Sequence, residues 1–167
     1  MPWLLKTEPE SYSIDDLARD RRTRWDGVRN YQARNFMRDS MRVGDAVLVY
    51  HSSADPPCVV GTARVSAAAA PDATAMNLRD SHYDPKSTKE NPIWVAVEIE
   101  FVERFVDPVP LAALRATKGL EKMALLQRGQ RLSVQPVSQR EFDVVCGLAR
   151  TAPAPKPGAK RATGSKR

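Results

Sequence analysis

Apolar and polar positions along this chain follow two periods in turn, and the switches between them mark out short strands and short helices. Trp3 to Lys6 reads as a first strand. Ser13 with Asp16 forms the sequence pattern of a capping box, which opens a short helix over Ile14 to Arg19. Ala33, Phe36 and Met37 recur at i, i+3 and i+4, predicting a second helix after Asn30 that buries one stripe and leaves Arg34 and Arg38 together on another. Val43-Gly44-Asp45 is a turn before the strongly apolar strand Ala46 to His51, and Cys58 to Ser66 is a third strand. Gly61 within that strand signals a bulge or a close backbone approach. Residues 67–75 read as a strand end running into a loop. From Ile93 to Phe105 the alternation is clear: Val95, Val97, Ile99 and Phe101 face one way and Glu98 and Glu100 the other, as in a half-buried antiparallel strand. Pro110 to Ala116 and Leu120 to Gln127 are short helices by pattern, and Arg131 to Gln135 is a fifth strand closed by Pro136. In the last element Ser138 and Glu141 make a capping box, ahead of a helical stripe of Phe142, Val145, Cys146 and Ala149. Five strands with helices around them are too few for a sandwich. They fit an α+β fold built on a small, partly open mixed barrel, occupying residues 1–150.

After Arg150 the pattern stops, and residues 151–167 read as a flexible basic tail. This tail changes the meaning of the charge. The net +6 is made largely by Lys156, Lys160, Arg161, Lys166 and Arg167, while the first 150 residues balance 21 basic against 20 acidic side chains. Any basic surface on the folded part is therefore local. One local excess is plain: eight arginines against three acids (Asp20, Asp26 and Asp39) between Arg19 and Arg42, which serves either as a solvated helix face or as a phosphate-binding one.

A length of 167 residues and 42% hydrophobic content suit one domain with a core, and no apolar run approaches the ~18 residues of a membrane span. The N-terminus, M-P-W-L-L-K-T-E-P, has no export pattern, which points to a cytoplasmic protein. Cys58 and Cys146 sit in apolar stretches and read as free, buried thiols. His51 and His82 are the only histidines and lack metal-ligand spacing, so neither a metal nor another cofactor is expected. A nucleophile elbow, a Walker loop and a dinucleotide glycine fingerprint are all missing, and the expectation is a protein without catalysis.

Trp25 to Asn35, W-D-G-V-R-N-Y-Q-A-R-N, is more informative. An aromatic residue precedes a Gly turn and a helix start rich in amide and guanidinium groups. A flipped or unpaired base is held by stacking on an aromatic face and by hydrogen bonds to its edge, with arginines holding the flanking phosphates. On this pattern alone, Trp25 serves equally well as a core residue.

W-L-L-K-T-E-P (3–9), the W-D-G-V-R-N-Y-Q-A-R-N segment, G-D-x-V-L-V-Y-H-S (44–52), H-Y-D-P (82–85), N-P-x-W (91–94) and R-L-S-V-Q-P-V (131–137) occur in that order. Together they resemble the EVE domain family over about residues 2 to 149. The resemblance implies a PUA-like barrel, similar to YTH and ASCH domains, with a pocket for a modified base, methylated or hydroxymethylated cytosine in DNA more than RNA. It implies pocket positions at Lys6, Trp25, Arg29, Asn30, Tyr50, His51, Ser52, Tyr83 and Asp84. Arg34 and Arg38 are added from charge and helix spacing as phosphate contacts. Plainer roles stay open: Tyr50 as core, His51 as a hydrogen-bonded structural side chain, Tyr83 and Asp84 as turn formers before Pro85, and Lys6 in a surface salt bridge with Glu8 or Glu10. Two competing functions also stay open: a hydrolase acting on a modified nucleoside, as the similar ASCH fold hosts, and an RNA-binding or adaptor module. Family relatives are linked to modification-dependent restriction. This chain carries no fused nuclease, so a cleaving activity would have to come from a protein partner.

Overall fold

The computed structural model describes residues 1–151, and the basic tail expected over 151–167 lies outside the described residues apart from the backbone of Thr151. Six strands form one mixed sheet: β1 (Trp3–Thr7), β2 (Arg22–Trp25), β3 (Ala46–His51), β4 (Cys58–Pro71), β5 (Val95–Pro110) and β6 (Val134–Pro136). Their order is β2-β5-β4-β3-β1-β6, with β1 and β3 parallel and every other pair antiparallel. Four α-helices surround it: α1 (Ile14–Asp20), α2 (Tyr31–Asn35), α3 (Leu111–Arg115) and α4 (Gln139–Thr151).

The central strands are apolar on both faces because the sheet is covered on both. Trp3, Leu5, Val47, Val49, Val97 and Ile99 join one core, against Ile14 and Leu17 of α1 and Ala33 of α2. Leu4, Leu48, Tyr50, Val59, Phe105 and Val109 join a second core on the opposite face, against Leu114 of α3 and Val145 and Cys146 of α4. Both capping boxes form: the Ser13 hydroxyl accepts from the Asp16 amide while Asp16 accepts from the Ser13 amide, and Ser138 and Glu141 repeat the exchange. Gly61 marks the expected irregularity. The β4–β5 register shifts between Val59 and Gly61, and a Cβ on Gly61 would strike the Glu103 carbonyl. Cys58 and Cys146 are buried, free thiols, both pushed above the ordinary value by burial.

Three expectations need correction, and the partly open barrel takes the form of an open six-stranded sheet: its edges β2 and β6 are four and three residues long, and Pro136 at the end of β6 has no N–H to donate. β4 runs on to Pro71, because Ala67 and Ala70 pair with Glu98 and Ala96 of β5 although alanine has little strand preference. Leu120 to Gln127 is a run of turns with one 3-10 turn at 124–126, pinned by buried Leu120, Met123 and Leu125. The second helix is one α turn followed by a π turn over 36–40, which still buries Ala33 and Met37.

Candidate functional site

A cavity of about 410 Å³ opens beside the sheet edge, lined by Thr7, Ser11, Tyr12, Thr23, Arg24, Trp25, Asp26 and His82. Its size lies within the range of small-ligand sites. Four parts of the fold meet there: the end of β1, the loop into α1, the edge strand β2 with the residue after it, and the loop ahead of β5. The lining mixes three rings with hydroxyls, one guanidinium and one carboxylate, which suits a flat ligand with a polar edge.

The wall formed by residues 25–30 is fixed from behind by Asp72, which is 1% exposed. Asp72 accepts from the Gly27 amide at 2.9 Å, from Arg29 Nη1 at 2.9 Å, and from the Thr74 amide and hydroxyl at 2.9 and 2.6 Å. Burial alone would raise its pKa, but these donors hold the carboxyl below its ordinary value. Arg29 completes the clamp by donating to the His82 carbonyl from Nε and Nη2, to Val28 O and to Thr74 Oγ1. Gly27 has φ +80, and a Cβ there would sit 2.9 Å from His82 Nε2, so only glycine lets the ring lie against this turn. His82 is held in turn by Asp80, which accepts from its amide and contacts Nδ1 at 3.0 Å.

Trp25 is 8% exposed and belongs to the first core as well as to the cavity wall. Asp26 differs from its neighbours. Its residue surface is exposed, yet burial of the carboxyl pushes its pKa up, Asp72 and Asp80 add like charge, and His82 opposes them. Apart from its own amide, this carboxyl has no hydrogen-bond or salt-bridge partner among the described residues.

Of the nine pocket positions the family resemblance implied, Trp25 lines this cavity, and Arg29 supports its wall through His82. Asn30 is the N-cap of α2, accepting from the Ala33 amide at 3.0 Å. His51 is 8% exposed and accepts from the Ile14 amide at 3.1 Å; burial lowers its pKa while Asp15 opposes, so Nε2 is the unprotonated nitrogen. It lies opposite Thr7 in the β1–β3 register, and the Ser52 amide donates to Thr7 O, so this strand end backs the cavity without lining it. Lys6 is half-buried beside Tyr50, its pKa lowered by burial, with no salt bridge to Glu8 or Glu10 among the described residues. Tyr50 points into the second core. Tyr83 is 37% exposed, and Asp84 accepts from Trp94 Nε1 at 2.7 Å and the Lys86 amide at 3.0 Å, which holds it below the usual carboxylate range.

The arginine excess also divides. Arg38 is paired with Asp39 through two hydrogen bonds. Arg19, Arg22 and Arg29 are paired too, whereas Arg21, Arg24, Arg34 and Arg42 have no salt bridge among the described residues. Arg34 stacks over Tyr31 at 4.8 Å, and Tyr31, 57% exposed, lies 4.8 Å from Trp94, making an aromatic and cationic patch at the start of α2. Sequence reasoning missed Thr7, Ser11, Tyr12, Thr23, Arg24, Asp26 and His82 as lining residues, although two of them adjoin Trp25 and His82 opens the H-Y-D-P motif.

The pattern of the EVE domain matches residues 2–148. Human thymocyte nuclear protein 1 is 41% identical over 170 residues, covering 91% of this chain and 75% of its own. A crystal structure of a Pseudomonas syringae protein superposes with a TM-score of 0.86 at 42% identity, over 89% of this chain and 99% of the other. The crystal structure of the human thymocyte protein in complex with 5-methylcytosine-containing DNA superposes with a TM-score of 0.83 at 42% identity, over 91% and 99% of the two chains. On these matches over nearly its whole folded length, the chain belongs to the EVE domain family.

Proposed function

We propose that this protein is a non-catalytic nucleic-acid-binding module that receives one modified base, methylated or hydroxymethylated cytosine in DNA, in the cavity beside Trp25. The observation that carries the reading is a polar and aromatic cavity large enough to admit a base in a fold shared, at 42% identity, with a human protein crystallised on DNA containing methylcytosine.

The cavity offers what a flipped base needs. Tyr12, Trp25 and His82 supply rings, and each stacked base gains roughly 1–3 kcal/mol, enough to offset an extrusion cost of a few kcal/mol when edge hydrogen bonds are added. Thr7, Ser11 and Thr23 bring hydroxyls. Arg24 at the cavity and Arg34 on the patch are cations without a salt bridge among the described residues, placed to meet phosphates. The clamp of Asp72 and Arg29 holds the wall before ligand arrives, which reduces the ordering cost on binding. Hydrolysis would need a hydroxyl activated by a base; His82 uses Nδ1 on Asp80, and no hydroxyl is bonded to its Nε2 among the described residues.

The test is fluorescence anisotropy of oligonucleotides that differ only in a central cytosine, methylcytosine, hydroxymethylcytosine or methyladenine. Trp25→Ala empties core as well as cavity, at about 3–5 kcal/mol, so a blocking variant is the cleaner control. Ser11 is exposed at the cavity wall, and Ser11→Trp fills the space without touching the core. Preference for a modified cytosine that Ser11→Trp abolishes supports the reading. Equal, salt-sensitive binding to all four probes, unchanged in the variant, refutes it.

A further inference from the structure

A pocket that recognised only the C5 methyl group of methylcytosine would fail at its task, because thymine carries the same methyl at the same ring position. The two bases differ at their polar edge. Methylcytosine presents an amino donor at position 4 and an acceptor at N3; thymine presents a carbonyl at position 4 and an N–H at N3. Discrimination therefore requires a group in the cavity that accepts from an amine and repels a carbonyl.

Among the eight lining residues only one is a charged acceptor: Trp25 has an N–H that only donates, and His82, tied to Asp80 through Nδ1, offers at most one neutral acceptor at Nε2, which lies against Gly27. Ser11 and Thr23 carry hydroxyls that rotate to donate or accept and so tolerate either base, while Thr7 and Tyr12 donate theirs to Tyr12 O and Asp20 and offer the cavity only neutral oxygen lone pairs. Arg24 donates only, and spends Nη2 on Ala96 O. Asp26 is the single carboxylate, and an ionised carboxylate accepts only. It follows Trp25 directly and precedes Gly27, whose amide is tied to Asp72, so its backbone is anchored on both sides. Its side chain has been left without a protein partner, whereas the neighbouring Asp72 has four donors. A carboxylate without a protein partner at a cavity wall exchanges water for an amino donor when a base arrives.

We propose that Asp26 is the residue that selects the base, accepting a hydrogen bond from the exocyclic amine of a bound cytosine and excluding thymine and other bases that carry a carbonyl at that position. The inference rests on the base-binding reading given above. It extends it by defining the ligand class as amino-bearing bases, with methylcytosine and hydroxymethylcytosine inside the class and thymine and hydroxymethyluracil outside it.

The test uses full-length protein and single-stranded oligonucleotides carrying one central methylcytosine or thymine, so that no pairing energy differs between them. The wild type prefers methylcytosine by about tenfold or more, the effect of one charged group satisfied in one complex and opposed in the other. In Asp26→Asn the amide donates to a carbonyl as readily as it accepts from an amine, and the ratio collapses to within about threefold, with Asp26→Ala giving the same collapse. A ratio retained in both variants, while Ser11→Trp abolishes binding, overturns the assignment of Asp26 and leaves the cavity reading intact. Binding that Ser11→Trp does not affect overturns both.

Discussion

Replacing Asp72 by alanine removes the acceptor for four hydrogen bonds at once: those from the Gly27 amide, Arg29 Nη1, and the amide and hydroxyl of Thr74. It also leaves the Arg29 guanidinium, 22% exposed, without its carboxylate. Breaking a buried ion pair by removing one partner costs about 3–5 kcal/mol. Arg29 keeps its bonds to Val28 O and His82 O and some contact with water, which places the expected loss toward the lower end, at about 3–4 kcal/mol. For a domain of this size that lowers Tm by about 6–16 °C. The pH dependence has a definite sign. The folded-state pKa of Asp72 is depressed, so its contribution is present above the ordinary carboxylate value, about 3.9, and is lost as pH falls through the folded value. The wild type and Asp72→Ala therefore differ most at neutral pH and converge in acid. Urea unfolding at pH 7 and at pH 3 measures both, and a double-mutant cycle with Arg29→Met isolates the pair. A loss below 1 kcal/mol at pH 7, or a coupling energy near zero, would refute the description of this clamp as the support of the cavity wall.

Asp26 has the opposite sign. Its folded pKa is raised, so its ionised form costs stability as pH climbs above about 3.9. Asp26→Asn is expected to melt higher than the wild type at pH 7, with the difference vanishing in acid; differential scanning calorimetry checks this, and a lower Tm at pH 7 contradicts it. In salt titrations of oligonucleotide affinity, Arg34→Gln is expected to reduce the slope by about one phosphate contact, while Arg38→Gln leaves it unchanged because Asp39 already neutralises that side chain. Equal effects of the two substitutions would remove the distinction between paired and unpaired arginines.

Much of the fold was legible because its signals are local. Both capping boxes lie within four residues, and Ala46 to His51 is apolar throughout with a Gly turn ahead of it. β2 escaped notice because R-T-R-W carries two charges and buries only Trp25, the ordinary pattern of an edge strand that needs its partner β5 to exist. Closure of a sheet depends on its last two strands finding each other, which no local window contains. The cavity was less legible still. Trp25 could be singled out, since an aromatic next to a Gly turn is a local signal. Thr7 and Tyr12 are joined by a local hydrogen bond, but His82 reaches them only through a tertiary contact, held by Arg29. Asp72, the post on which the wall depends, had one usable local sign: in P-D-A-T the aspartate caps the turn at 73–76 through the Thr74 amide.

The most direct test of the central claim is an isotope-filtered nuclear Overhauser measurement on the protein bound to a methylcytosine oligonucleotide, observing the C5 methyl protons of the base. Contacts are expected from that methyl group to ring protons of Trp25, Tyr12 or His82, lost in Ser11→Trp. Stable binding with the methyl group far from all three rings would contradict the claim.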